Sequence, residues 1–491
     1  MGYHLVRMPV FFSERMQVFM SEQELSFGEI HFGSAALGNK KRTKRLVTIA
    51  NSLVRNPSGS LPSKLYGPGE LEALYHLMKQ DSVTHASVLS AHFKQTWKAL
   101  SCSEDYVVVA HDTTELDFTT HETLTDLGQI GNGNRRGYLC HNSLAVFPLT
   151  RQVIGLANQI LSKRRKVQAG ETRSVRREHK NRESQVWKQA TDPLPKNLKI
   201  VDVCDRGADV FEFLEAEVNS GRTFVVRSKH DRSLRIRDAN GDLVYLHAYV
   251  RTIPSLGTKV VEVPKAIEDE SAGESKKALK STRLAKLQVS TVKVSIPRPK
   301  RRSGQHGNSP LQITVVRVWE PNPPDGEDAM EWLLLTNFEA MDVCTASLVV
   351  SWYECRWVVE EYHKAKKTGL NIEDPQFKSE ARLQPMIALL SVVAISLLNL
   401  RALACSENSK NQPASTIMHP DFVEALALWR YKKASPEMTV YDFCMALGKL
   451  GGHLNRKRDG IPGWITLWRG WIRLNDRVEG ARVQRRSTSC A

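Results

Sequence analysis

Three carboxylates are the residues of this chain best suited to shared chemistry. Asp112 and Asp205 each close a short β-branched run, in "YVVVAHD" and "LKIVDVCDRGAD", and Glu360 lies within "SWYECRWVVEEYHKAKKTG" (351–369). Two acids at the ends of separate strands and a third on a later helix can converge at one sheet edge. Such a trio suits magnesium, with manganese as a substitute, because a hard cation takes carboxylate oxygens and keeps waters and substrate phosphates. Two such ions clamp the attacking and leaving oxygens of an in-line phosphoryl displacement. Asp112 would then bridge both ions, and Asp205 and Glu360 would each complete one. A lone strand-terminal Asp is commonly a turn or N-cap residue, so the trio needs support from the elements that carry it.

The first support is the 351–369 segment, read as one unbroken helix. At 100° per residue, Tyr353, Arg356, Glu360 and Lys367 fall within a sector of roughly 60°, whereas Glu361, Tyr362 and His363 lie outside it. That stripe singles out Glu360 between the adjacent glutamates. Arg356 and Lys367 would hold phosphates, one as a fork and one as a point charge, and Tyr353 could donate to a further phosphate oxygen. A solvated salt-bridge ladder would show the same spacing.

The two aspartates belong to a strand-rich middle. Beside their runs, "SLAVFPL" (143–149) and "QVIGLANQIL" (152–161) read as neighbouring strands, and "DVFEFLEAEVNSG" as a following helix. Strands alternating with helices indicate an α/β core. From 223 to 337 the pattern is mostly β, with "TFVVRSK", "LVYLHAYV", "KVVEVP", "LQVSTVKVSI", "LQITVVRVWE" and "EWLLLT" as strand candidates. The polar stretches "AIEDESAGESKKALKSTR" and "PRPKRRSGQHGNSP" read as loops. This is a β-rich insertion whose ends flank the second Asp and the stripe-bearing helix. The chain before about 85 reads as a helical module. There Lys40, Lys41, Arg42, Lys44 and Arg45 crowd the start of an amphipathic helix, as in a small DNA-binding domain or any solvated basic helix. The chain after 375 reads as helical.

Composition narrows the partners. Among 491 residues, Lys+Arg 69 against Asp+Glu 53 gives a net charge of +16, which favours a polyanion such as nucleic acid over a small acidic substrate. The eight cysteines are scattered without a C-x-x-C pair, so a zinc module is disfavoured and a reduced cytosolic setting fits best. The longest apolar run, "MIALLSVVAISLLNL" at 386–400, is short for a membrane span and reads as a buried core helix. The N-terminus lacks a signal-peptide pattern, and Met16 and Met20 are alternative starts.

The spacing Y-x2-R-x3-E-x6-K, met by Tyr353, Arg356, Glu360 and Lys367, resembles the signature of bacterial cut-and-paste DDE transposases of the Tn-five (IS-four) type. "GSAALGNKKRTKRLV", "HDTTELDF", "VCDRGAD", "FVVRSKH", "EWLLLT" and "LGGHLNRKRDGI" are similar to that group in the same order, from about Gly33 to Gly480. The resemblance implies an RNase H-like catalytic core (86–404) interrupted by the β-rich insertion (about 223–337). A helical N-terminal end-binding domain (1–85) and a helical C-terminal dimerisation domain (405–491) would flank it. It places the family's catalytic, metal-holding triad on Asp112, Asp205 and Glu360. It also implies that Trp332 stacks on a flipped base, where a core Trp is the alternative, and that Arg227, Lys229 and Arg45 lie near DNA. Arg42 is a further DNA-binding candidate of the same basic helix. The implied protein is a cytoplasmic, nucleoid-associated enzyme with two metal ions per site and no membrane. As a homodimer it would excise double-stranded transposon ends through a hairpin and join them to target DNA. The extension before about Ser21 departs from the pattern. The rival expectations are a metal-dependent nuclease without strand transfer and a non-catalytic DNA-binding regulator.

Overall fold

The computed structural model describes residues 26–489, except 58, 66, 165–167, 169, 173–174, 176–182, 197, 238, 266–280, 301–305, 328, 407, 434–436 and 457–458. The extension before Ser21 and most of the 266–283 loop therefore lie outside the described residues. The described residues open with helices Phe27–Phe32, Lys40–Arg55, Leu61–Lys64, Pro68–Met78 and His85–Ser101. In Lys40–Arg55 the apolar side (Leu46, Ile49, Ala50, Leu53) is buried and Lys40, Lys41, Lys44 and Arg45 are exposed. Asn39 caps that helix by accepting from the Arg42 N–H.

The middle is one mixed sheet. Its strands are β1 (Val107–Asp117), β2 (Gly128–Gln129), β3 (Arg136–Val146), β4 (Val153–Ser162), β5 (Ile200–Cys204), β6 (Thr223–Arg227), β9 (Gly257–Lys265), β10 (Ser281–Ile296), β11 (Leu311–Trp319) and β12 (Glu331–Thr336). The pairing order is β2-β3-β1-β5-β6-β12-β11-β10-β9, with β4 on β3. β1, β5 and β6 run parallel. β3 lies antiparallel to β1 and β4, and β12 antiparallel to β6. β5 is buried at every position, as a central parallel strand between helical layers must be. Strands β9 to β12 of the β-rich segment thus extend the core sheet through β12. A separate two-stranded sheet joins β7 (Ser233–Arg237) and β8 (Leu243–Tyr245).

Two expectations are corrected here. "LVYLHAYV" is a strand only as far as Tyr245, and Leu246–Thr252 is a helix that buries Leu246 and Val250. The 351–369 segment is not one helix: Val343–Glu354 stops, Trp357–Lys364 follows, and Ala365–Gly369 widens into a π turn. At the first junction Cys355, Arg356, Val358 and Val359 all bond back three residues, the tight 3₁₀ pattern. At the second, the Leu370 N–H bonds back five residues to Ala365.

Helix Glu380–Cys405 is apolar on nearly all sides and buried along most of its length, as the sequence predicts for a core helix. It is long and apolar enough to cross a membrane, yet 83% of its most apolar window is buried inside the protein. It packs on His85–Ser101, on β4 and on the C-terminal helices Val440–Leu450 and Trp464–Ser489. Pro420–Tyr431 completes the C-terminal layer.

Candidate active site

The β1–β5 pairing runs from Val107↔Ile200 to His111↔Cys204. Asp112 and Asp205 each follow the last pair, so they lie side by side where the pairing of two parallel strands about 4.8 Å apart ends. Asp112 is not at the end of its strand, because β1 continues to Asp117 along β3 alone. Asp205 does leave the sheet. Its Oδ1 accepts from the Gly207 N–H at 2.7 Å and caps the turn Arg206–Ala208. Space is tight at Gly207, where a Cβ would sit 2.9 Å from that oxygen and 3.0 Å from the Trp187 ring.

Asp112 Oδ1 accepts from the Thr113 N–H at 2.9 Å. Burial pushes its carboxyl up to about 6, with Asp205 and Glu360 adding repulsion and the Thr113 N–H and Arg356 opposing it. Glu360 thus shares the field of the two aspartates. Arg356 joins the group from the junction between helices: its Nη2 donates to Glu360 Oε1 at 2.7 Å, and its Nη1 lies 4.0 Å from Asp112 Oδ2. The Arg356 Nε is buried without a hydrogen-bond partner.

Tyr353 is 3% exposed, with its hydroxyl between Arg227 and Arg356 and its ring edge-to-face with Trp332 at 5.1 Å. Trp332 is itself buried in β12, in the arrangement of a core Trp. Lys367, on the π turn, pairs with Glu373 at 3.1 Å, and Glu373 also accepts from the Asp117 N–H. Arg356 is therefore the member of the stripe that meets both Glu360 and the Tyr353 hydroxyl, whereas Lys367 is turned to a partner of its own.

Beyond Asp205 opens a cavity of about 230 Å³ lined by Arg206, Arg227, Ser228, Lys229, His247, Arg251, Glu331 and Leu333. Arg251 and Arg317 neutralise Glu331 at 2.6 and 2.9 Å, leaving its wall predominantly cationic. The Lys229 N–H is held by Asp209 Oδ2. Sequence spacing does not single out Arg206 or Arg251, although Arg206 directly follows Asp205. The basic helix divides: Arg45 is exposed, while the Arg42 guanidinium turns inward to Leu37 O, Ser82 Oγ and Gln80 Oε1.

The three carboxylates are hard donors that repel one another, a set a divalent cation would satisfy. Among the described residues, however, no three His, Cys, Asp or Glu side chains stand grouped as a metal site. Glu360 is turned to Arg356, and completing such a site requires it to leave that partner.

Residues 26–83 match the family model described as transposase DNA-binding. The match covers the helices from Phe27 to Met78, including the exposed basic face of Lys40–Arg55. It supports a transposase with DNA as its partner.

Proposed function

We propose that this chain is a DDE transposase resembling the Tn-five type, which excises its element by metal-dependent strand cleavage through a hairpin and joins the 3′-hydroxyl ends to target DNA. The observation that carries this reading is that Asp112 lies beside Asp205 where the β1–β5 pairing ends and is linked through Arg356 to Glu360, in a chain whose residues 26–83 match a transposase DNA-binding model. The order β4-β3-β1-β5-β6, three antiparallel strands followed by two parallel ones, supports an RNase H-like core.

Asp112, Asp205 and Glu360 would hold magnesium or manganese, two ions per site. A bound divalent ion stabilises charge on the phosphoryl oxygens and lowers the pKa of an attacking water or hydroxyl. The chain's own residues bind and orient the DNA. Arg356 exchanges Glu360 for a phosphate, which its fork accepts in two places. Lys367 exchanges Glu373 in the same way. Arg206, Arg227, Lys229 and Arg251 give the neighbouring cavity the charge to hold a displaced nucleotide. Stacking of its base on Trp332 requires Tyr353 to move first. The exposed Lys40, Lys41, Lys44 and Arg45 grip the terminal repeat. Two copies work as a dimer on cytoplasmic, nucleoid-associated DNA.

The test incubates purified protein and magnesium with DNA carrying the element's terminal repeats, wild type beside Glu360→Ala. Wild type should yield hairpins, excised ends and joined products. Glu360→Ala should bind equally but lose cleavage by more than the roughly 10–100-fold that an outer-shell change costs. Cleavage without joining would replace the reading with a nuclease. Binding without cleavage by either protein would replace it with a regulator.

A further inference from the structure

Behind Asp112 lies a buried polar cluster that the proposed chemistry leaves unused. Asn142 stands directly opposite Asp112 in the β1–β3 register and is fully buried. Its Oδ1 accepts from Lys366 Nζ at 2.9 Å and from Gln159 Nε2 at 2.7 Å. Its Nδ2 donates to the Cys140 carbonyl at 3.0 Å and lies 3.0 Å from His363 Nε2. Lys366 is also fully buried, its Nζ 3.5 Å from Cys140 Sγ and over the Tyr362 ring at 4.8 Å. An ammonium buried against neutral partners costs several kcal/mol unless well held, so its placement calls for a role.

Hydrogen-bond polarity supplies one. The Cys140 backbone carbonyl can only accept, so the Asn142 amide turns its NH₂ to that oxygen and its own Oδ1 to the Lys366 and Gln159 nitrogens. Its N–H then points at His363 Nε2, which must accept with its lone pair. A neutral imidazole that accepts at Nε2 carries its proton on Nδ1. His363 Nδ1 faces Asp112 Oδ2 at 3.8 Å, a separation that a small side-chain rotation closes to a hydrogen bond.

We infer that His363 is a positioning residue for Asp112: Asn142, locked by Lys366, holds the imidazole as the Nδ1–H tautomer and aims that proton at the carboxylate. The Thr113 N–H already holds Oδ1, and closure of the 3.8 Å gap from His363 to Oδ2 would fix the second oxygen and with it the plane of the carboxylate. The catalytic role rests on the reading of Asp112 as a catalytic carboxylate, whereas the tautomer does not.

The tautomer is read by NMR of the full chain labelled with ¹⁵N-histidine, the His363 signals being identified by their loss in His363→Asn. Wild type should carry its proton on Nδ1 with Nε2 bare. Asn142→Asp, which keeps the shape and the Lys366 contact but replaces the amide donor with an acceptor, should put a proton on Nε2. A wild-type proton on Nε2, or an Nε2 left bare in Asn142→Asp, overturns the relay. The positioning role is read from the magnesium concentration for half-maximal cleavage of terminal-repeat DNA. His363→Leu should raise it about tenfold or more, the usual scale for a residue that orients a ligand. His363→Asn, whose amide nitrogen sits as many bonds from Cβ as Nδ1 does, should recover most of the loss, and His363→Gln should not. If Asn and Leu behave alike while wild type cuts, positioning falls and the transposase reading stands. If wild type does not cut at all, the transposase reading falls and the catalytic role with it, and the NMR result alone decides the tautomer.

Discussion

Arg356 is the residue on which the site turns. It bridges Glu360 directly and approaches Asp112, so in this conformation a cation already occupies the space between the acids. Asp112 is the costly member. Its carboxyl is raised from an ordinary value near 3.8 to about 6, so its ionisation in the folded state is penalised. An acid with a raised folded-state pKa loses stability as pH rises through that window, here between about 4 and 6, and the full cost persists at neutral pH. Asp112→Asn should therefore stabilise the metal-free protein at pH 7 by roughly 1–3 kcal/mol, with no gain below about pH 4. Thermal melts across pH would check this. Magnesium should raise the melting temperature of wild type and not of the variant. At this scale the sequence singled out Asp112 and Glu360, which the structure links through Arg356, and Asp205 beside Asp112, although Asp112 lies within its strand and the helix is broken at Cys355–Arg356. Asn142 and Lys366 were invisible, since a buried hydrogen-bond cluster leaves no periodic trace. His363 escapes the stripe because it lies about 20° beyond that sector.

Among elements, the segment from 343 to 369 departs most from its sequence reading. The tight junction at Cys355–Arg356 and the wide turn at Ala365–Gly369 wind in opposite senses relative to an α-helix. Arg356 and Glu360 keep their i,i+4 contact between the two, while past the wide turn Lys366 points into the core and Lys367 toward Glu373. Apolar periodicity was legible there, but the two irregular turns were not, because hydrogen-bond slippage depends on what the helix packs against. The turn after β5 has equally narrow tolerance. Gly207→Ala would press a methyl between Asp205 Oδ1 and the Trp187 ring. It should cost about 1–3 kcal/mol as an overpacked site and lower cleavage by displacing Asp205, with DNA binding retained. Denaturant unfolding together with the cleavage assay would separate the two effects. Leu246–Thr252 teaches a similar lesson: its β-branched and aromatic residues suit a strand, but capping the β7–β8 hairpin against the core made it a helix.

For the whole molecule, charge sets how DNA is met. A net +16, with Lys40, Lys41, Lys44 and Arg45 exposed on one helix, should make DNA binding fall steeply with salt. Replacing Lys44 and Arg45 together by Ala should flatten the slope of log K against log salt by about 0.9 for each phosphate that is no longer neutralised. Arg42→Ala should instead lower stability, because its guanidinium ties the helix to Ser82 and Gln80. Fluorescence anisotropy at several salt concentrations would read the first effect, and thermal melts the second. The N-terminal helical module is also fastened to the segment that follows the helix carrying Glu360. Lys64 is buried and donates to the Leu370 carbonyl just past the π turn, and Tyr75 packs edge-to-face on Phe377. The sequence by itself determined the α/β core, the basic helical module, the buried helix at Glu380–Cys405 and the acids that share a sheet end, because each follows from residue type and short-range period. Only the tertiary structure decided that Tyr353 and Trp332 are covered, that Arg356 stands between Asp112 and Glu360, and that Lys366, Asn142 and His363 meet in one buried cluster behind them. Those outcomes depend on which surfaces meet across hundreds of residues, where desolvation and hydrogen-bond polarity, rather than local spacing, select the arrangement.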